Sequence, residues 1–157
     1  MKRSGLYLQI ICALLMVLWV YTALSKWVDI GMFKSQLNQQ PLPDWSTSLL
    51  VWLLPATELT AAGLLMFERT RSTGLLLSLS LMILFTGYVA MAVIGYWENV
   101  PCSCGGVLNT LGWKEHLWFN LFFTAIAAVG VQLSKLHRKG NLQQDSLAGE
   151  PAKADNI

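Results

Sequence analysis

The sequence predicts an all-α integral membrane protein, a four-helix bundle with both termini in the cytoplasm. Three observations carry this prediction. The chain of 157 residues is 54% hydrophobic and only 13% charged, which is outside the usual range for a soluble domain. Four apolar stretches are each long enough to cross about 30 Å of hydrocarbon, which takes roughly 20 helical residues. Basic residues are also distributed unequally between the segments that connect these stretches.

The four predicted spans are Leu6–Leu24, Thr47–Phe67, Thr73–Tyr96 and Leu117–Ser134. The first span has features of a signal peptide, because two basic residues precede it and a small-x-small sequence follows it. Its apolar run is longer than the h-region of about 7 to 15 residues that signal peptides contain. We therefore expect this segment to be retained as a helix.

Positive charge predicts the orientation of the bundle. Seven basic residues near the spans fall on one side and three fall on the other. The seven are Lys2, Arg3, Arg69, Arg71, Lys135, Arg138 and Lys139, and the three are Lys26, Lys34 and Lys114. The positive-inside rule places the seven, and hence both termini, on the cytoplasmic side. We expect the membrane to be the inner membrane of a bacterium. The net charge of +2 is too small, and the basic residues are too scattered, to indicate nucleic-acid binding.

Two segments outside the spans have distinct patterns. In residues 25–46, apolar side chains recur at three- and four-residue steps at Trp27, Ile30, Phe33 and Leu37. This pattern predicts a short amphipathic helix on the outer surface, with a plain connector as the alternative. At the other end, residues 140–157 are polar, so we expect a transmembrane domain at 1–139 followed by a disordered cytoplasmic tail.

Two cysteines lie one residue apart, Cys102 and Cys104, in the stretch Pro101-Cys102-Ser103-Cys104-Gly105-Gly106. The predicted orientation places this loop in an oxidising compartment, the periplasm of a Gram-negative bacterium. A disulfide between such close cysteines is strained, and strained, exposed disulfides have the more oxidising potential that exchange requires. The two glycines that follow let the backbone of a partner protein approach the sulfur atoms. The pattern therefore favours thiol–disulfide exchange.

Two other interpretations of the cysteine pair stay open. A static disulfide that holds a turn adds little stability to the fold, because closing so short a loop removes little entropy from the unfolded chain. A metal site needs more ligands than two thiolates, and His116 is the one obvious addition on that side, although copper(I) between two sulfurs is a further hypothesis.

The third cysteine, Cys12, lies inside the first span and is predicted to be a small buried side chain. A relay that carries electrons through the membrane on thiols needs a second intramembrane cysteine, which the sequence lacks. If electrons enter or leave the membrane, a quinone or a partner protein must carry them.

Glu58 is the one acidic residue within the predicted spans, and it lies three residues after Pro55. A charge at that depth costs about 2.5 to 3.5 kcal/mol, so the side chain must face the bundle interior, be paired or be protonated. We expect either a proton acceptor that contacts a bound quinone or thiol site, or a buried polar tie to another helix.

His116 and Asn120 lie one helical turn apart at the start of the fourth span, directly after the cysteine loop. His116 is a candidate to assist thiolate formation or to protonate a leaving sulfur, with simple capping of the helix as the alternative. Asn120, like Glu58, is a candidate quinone ligand. Lys26 and Asp29 are predicted to pair at the surface or to hold the cysteine loop.

Taken together, these residues resemble the MauE branch of the DoxX-like membrane proteins. The resemblance is carried by Ala23-Leu24-Ser25-Lys26, Asp29, Phe33, Gln36-Leu37, Pro41, Pro55-x-x-Glu58, Arg69-x-Arg71-x-x-Gly74, Pro101-Cys102-x-Cys104-Gly105-Gly106 and Gly112-Trp113-x-x-His116-x-x-Phe119-Asn120. It implies a four-helix membrane bundle and a role in methylamine utilisation, through disulfide formation or maturation of the methylamine dehydrogenase small subunit. DoxX relatives imply a link to quinones.

The sequence therefore predicts a membrane thiol–disulfide oxidoreductase. Cys102, Cys104 and His116 are the candidate catalytic residues, and Glu58 and Asn120 are the candidate ligands of a membrane quinone. The expected partner is a periplasmic thioredoxin-like or cysteine-containing substrate protein. The alternatives are a non-enzymatic membrane assembly factor with a structural cysteine turn, and a small copper or solute carrier.

Overall fold

The structure, a computed structural model, describes residues 2–40, 43–96 and 112–148. These residues form five helices and no strand, which confirms the predicted all-α class. The helices are α1 (Lys2–Val28), α2 (Ile30–Asn38), α3 (Asp44–Met66), α4 (Arg71–Val93) and α5 (Trp113–Ala148).

Four of these helices are long and apolar enough to cross a membrane, as predicted. Their apolar segments are Gly5–Val28, Trp45–Met66, Arg71–Val93 and Trp113–Gly140. The first segment ends four residues later than predicted, at Val28 instead of Leu24, and so includes Lys26. α5 continues through Ala148, past residue 139; the division into a membrane domain and a disordered tail stays a prediction, as does the orientation of the termini.

The four long helices surround one core, with α1 packed on α3, α3 on α4, α4 on α5, and α5 on α1. Successive long helices run antiparallel. We call the end where α1 and α4 finish and α3 and α5 begin the loop end, and the end where α3 turns into α4 the turn end. The loop end is the predicted periplasmic side.

Close packing holds the turn end together. A Cβ atom placed on Gly74 of α4 would lie 2.9 Å from the backbone of Leu64 and Leu65 in α3. A Cβ atom on Gly130 of α5 would lie 2.9 Å from side-chain atoms of Ile11 and Leu75. Because apolar helices gain no hydrophobic driving force from each other in lipid, close approach at small residues is a principal source of helix association.

Two polar contacts link helices within the bundle. The indole of Trp19 in α1 donates a hydrogen bond to the Ser78 hydroxyl of α4, at 2.9 Å across the core. The hydroxyls of Thr86 and Thr124 lie 3.0 Å apart and join α4 to α5. These bonds satisfy polar groups that would otherwise face hydrocarbon.

The predicted amphipathic helix is α2, and its apolar face packs on the protein. The Asp29 carboxylate caps α2 by accepting a 3.0 Å hydrogen bond from the backbone N–H of Met32. Phe33 and Leu37 are buried against Val51, so α2 lies alongside the first half of α3. This placement brings α2 over the loop end of the bundle.

The glycine contact predicts that Gly74→Ala lowers the thermal stability of the protein in detergent. The new methyl group meets backbone atoms that cannot rotate away, and overpacking of this kind costs about 1 to 3 kcal/mol. Gly87→Ala in the same helix is the matched control, because a Cβ atom there meets nothing within 4 Å. Circular dichroism melting should show a lower midpoint for Gly74→Ala and an equal or higher one for Gly87→Ala; equal midpoints in both would contradict the contact.

Candidate functional site

A cavity of about 490 Å³ lies among the helices toward the loop end. α1, α2, α3, α4 and α5 all contribute to its walls, which are mostly leucine, phenylalanine and other apolar side chains. Seven polar or charged side chains interrupt this apolar lining: Thr22, Lys26, Gln40, Glu58, Tyr88, His116 and Asn120. An apolar pocket with a few convergent polar groups is the usual form of a small-molecule site.

A buried ion pair between α1 and α3 forms one wall of the cavity. The Lys26 ammonium lies 2.8 Å from the Glu58 carboxylate, and the two side chains are 5% and 2% exposed. Lys26 Nζ also donates a hydrogen bond to the Thr22 carbonyl at 3.2 Å and lies 5.8 Å from the centre of the Phe33 ring. Glu58 therefore faces the bundle interior and is paired, which was one of the outcomes expected from its cost in a membrane.

The predicted surface pair of Lys26 with Asp29 is wrong. Lys26 is only 4% exposed, because α1 continues past the predicted end of the span and carries this side chain into the cavity. Asp29 instead caps α2. The charge that neutralises Glu58 thus comes from a residue that the hydropathy pattern placed at the membrane surface.

His116 and Asn120, in the first two turns of α5, also line the cavity. They are 1% and 5% exposed, and both face the cavity, as their spacing of one turn predicts. The ring of His116 lies against Phe119, with 6.5 Å between the ring centres. Simple capping at the membrane surface does not describe this histidine, because its side chain is buried.

Three residues that line the cavity each have a buried polar atom that lacks a hydrogen-bond partner among the residues that the structure describes. These atoms are Glu58 Oε2, His116 Nδ1 and Asn120 Nδ2. Buried polar atoms in proteins are nearly always bonded, so each such atom requires an explanation. The three residues all line one cavity, and their atoms include both an acceptor and a donor, as a site for a polar ligand group would provide.

α2 covers the loop end of the cavity. Phe33, Leu37 and Gln40 contribute to the lining, and the Tyr88 hydroxyl of α4 donates a hydrogen bond to the Gln40 side-chain oxygen. This contact links the end of α2 to the end of α4. The cavity is therefore screened at this end by a helix.

Cys102 and Cys104 lie outside the residues that the structure describes. The chain that contains them leaves α4 and returns to α5 at the loop end, the same end as the cavity. Cys12 is 3% exposed in the core with Leu8 and Leu15, which confirms its predicted burial. Within the described ranges, no three His, Cys, Asp or Glu side chains are grouped closely enough to hold a metal ion.

The structure thus brings together three predicted residues, Glu58, His116 and Asn120, and adds Lys26, Gln40 and Tyr88. Sequence reasoning missed Lys26 as a cavity residue, although one signal was available. A buried carboxylate in a membrane requires a nearby cation, and Lys26 lies two residues after the end of the first predicted span.

Comparison with known proteins identifies one family. The model of the family described as "Methylamine utilisation protein MauE" matches residues 4–133, which include the first three apolar helix segments, most of the fourth, and the cavity residues. No curated protein and no solved structure matches the chain. The placement of the chain among the wider DoxX-like proteins stays a prediction.

The ion pair predicts strong coupling between its two residues. Lys26→Met or Glu58→Leu alone leaves a buried charge without its partner, which lowers the free energy of unfolding by about 3 to 5 kcal/mol. The double variant removes both charges and should be more stable than either single variant. Reversible unfolding in mixed micelles measures the free energy of unfolding of the unmodified protein, the two single variants and the double variant. If the loss in the double variant equals the sum of the losses in the two single variants, the residues do not interact.

Proposed function

This chain belongs to the MauE family, and we propose that it is a membrane thiol–disulfide redox protein whose Cys102–Cys104 pair oxidises a periplasmic partner. Family membership suggests a membrane protein in methylamine utilisation. Within that setting, the partner is a thioredoxin-like or cysteine-containing protein, and the reaction supports disulfide formation or maturation of that protein. The protein acts from the inner membrane, with its termini in the cytoplasm.

One observation carries this proposal: the cavity lies at the end of the bundle where α4 ends and α5 begins, and three of its lining residues have buried polar atoms without a partner among the described residues. An assembly factor with a static turn has no need of buried unpaired polar atoms beside its docking loop. A redox protein needs a site near its thiols that binds the molecule that accepts their electrons and protons. The position and chemistry of the cavity support the second role.

The exchange proceeds in two balanced steps. A thiolate of the partner attacks one sulfur of the Cys102–Cys104 disulfide, forms a mixed disulfide and displaces the other sulfur as a thiolate. The second partner thiolate then attacks the mixed disulfide, which leaves the partner oxidised and both Cys102 and Cys104 reduced. His116, four residues after the end of the cysteine segment at Gly112, is the proposed group that protonates the displaced sulfur.

Regeneration of the disulfide requires an oxidant, and we assign this role to a membrane quinone. Two electrons and two protons leave the Cys102 and Cys104 thiols and convert the quinone into a quinol. Glu58 and Asn120 are the proposed ligands, because both line the cavity and each has a buried polar atom without a hydrogen-bond partner among the described residues. Since the chain contains only one further cysteine, Cys12, thiols alone do not carry the electrons onward.

Thiol exchange predicts that a cysteine variant captures the partner. In Cys104→Ala, the Cys102 thiolate attacks the disulfide of an oxidised partner, in the reverse direction of the exchange, and displaces one partner sulfur as a thiolate. Because Cys104 is absent and cannot release the partner from the resulting mixed disulfide, a covalent complex should accumulate and disappear on reduction. The reciprocal Cys102→Ala variant tests the opposite order of attack. Non-reducing gels of membranes from cells that express each variant provide the measurement, and Cys12→Ala is the control that should trap nothing. If neither outer variant captures a partner and both stay functional, the assembly-factor alternative is correct.

Quinone coupling predicts a separate defect in Asn120→Leu. This variant should still form the mixed disulfide with the partner, but quinone-dependent reoxidation of Cys102 and Cys104 should slow about 5- to 30-fold, because loss of one buried hydrogen bond to the ligand costs roughly 1 to 2 kcal/mol. Gln132→Leu removes an exposed amide from the same helix and should reoxidise at the normal rate. Thiol alkylation at timed intervals after addition of a quinone measures both. Equal rates in the two variants would remove Asn120 from the quinone site.

A further inference from the structure

We propose that the cavity receives its quinone sideways from the lipid, through an opening between α3 and α4, and that the isoprenoid tail remains in this opening. The proposal rests on the proposed function, since it names the route and the orientation of the same ligand. It assigns roles to residues that do not take part in the redox chemistry, namely Leu54 of α3 and Leu81 and Leu84 of α4.

The leucines on this side connect the cavity to the outer surface of the bundle. Leu84 lines the cavity and yet is 69% exposed, so the cavity reaches the lipid-facing surface of α4 at this residue. Leu54 and Leu81 also line the cavity and are half-buried. A passage bordered by leucine favours an apolar chain and opposes the entry of a water-soluble molecule.

Specific contacts hold two other sides of the cavity. The Lys26–Glu58 ion pair joins α1 to α3, and the Thr86–Thr124 contact joins α4 to α5. Toward the turn end, the Trp19–Ser78 hydrogen bond crosses the core below the cavity.

Contacts also close the two ends of the cavity. Toward the loop end, α2 covers the cavity through the contact of Gln40 with Tyr88. At the turn end, the contact of Gly74 with the α3 backbone draws α3 and α4 together. Among the described residues that line the cavity, Leu84 is the one that is exposed, so the cavity reaches the outer surface on the α3–α4 side, at the level of Leu54 and Leu84.

The polar atoms of the cavity suit a quinone in both of its oxidation states. A ring carbonyl of the quinone accepts a hydrogen bond from Asn120 Nδ2, whereas a hydroxyl of the quinol donates one to Glu58 Oε2. His116 Nδ1 is able to donate or accept according to its tautomer. The ring then lies among Trp19, Phe85 and Phe119, whose side chains form apolar walls. With the ring held at these atoms, a tail attached to it extends toward the leucines.

The test compares two probes, a benzoquinone with a ten-carbon tail and the same ring without a tail, bound to the full chain in phosphatidylcholine nanodiscs. Leu84→Trp fills the opening and should weaken binding of the tailed probe about tenfold, as expected if roughly two methylene groups lose their contact with the leucines. Binding of the tailless probe should change little. Ile83→Trp is the control, because Ile83 is 55% exposed on the same helix and does not line the cavity.

Leu54→Trp, on the other side of the opening, should have the same effect as Leu84→Trp, and thermal unfolding checks that each variant is folded. Equal losses for both probes, or equal effects of Leu84→Trp and Ile83→Trp, would overturn sideways entry. If the unmodified protein binds neither probe while Cys104→Ala still captures a partner, the quinone route is wrong and thiol exchange stands. If both probes bind as expected and no partner is captured, the cavity assignment stands and the thiol reaction is wrong.

Discussion

The buried contact between Lys26 and Glu58 is the constraint on which the rest of the site depends. A carboxylate within the apolar part of a membrane helix is costly unless it is paired, and the 2.8 Å contact with Lys26 provides that pairing. The contact fixes the register of α1 against α3, and α2 follows directly from the end of α1. The cation–π contact of Lys26 with Phe33 extends the same constraint to α2. The ion pair therefore determines where the cover of the cavity lies.

The two ends of the bundle are built differently, and this difference creates the site. At the turn end, Gly74 and Gly130 allow close contact of helices, and the core contains small side chains such as Ala61 and Ala127. At the loop end, the helices carry large side chains and polar groups around a cavity. Close packing at one end holds the helices in place, so that the other end can keep an interior space without loss of the fold.

Hydropathy and charge were sufficient to predict the fold class and the four spans, because both depend on the local sequence and on the thickness of the bilayer. Glu58, His116 and Asn120 were also found individually, since polar residues within an apolar span are conspicuous. Their meeting in one cavity was not predictable, because it depends on which helices become neighbours. Lys26 was misplaced for the same reason: a lysine at the end of a span is compatible with the surface until its partner on α3 is known.

We propose that Cys102, Cys104 and the cavity form one redox unit. The most direct measurement mixes the reduced, purified protein in nanodiscs with a limiting amount of oxidised quinone, and follows quinol absorbance and free thiols together. One quinol should appear for each Cys102–Cys104 disulfide that forms, and Cys102→Ser should produce neither product. Formation of quinol in Cys102→Ser at the normal rate, or the persistence of both thiols in the unmodified protein, would contradict the account.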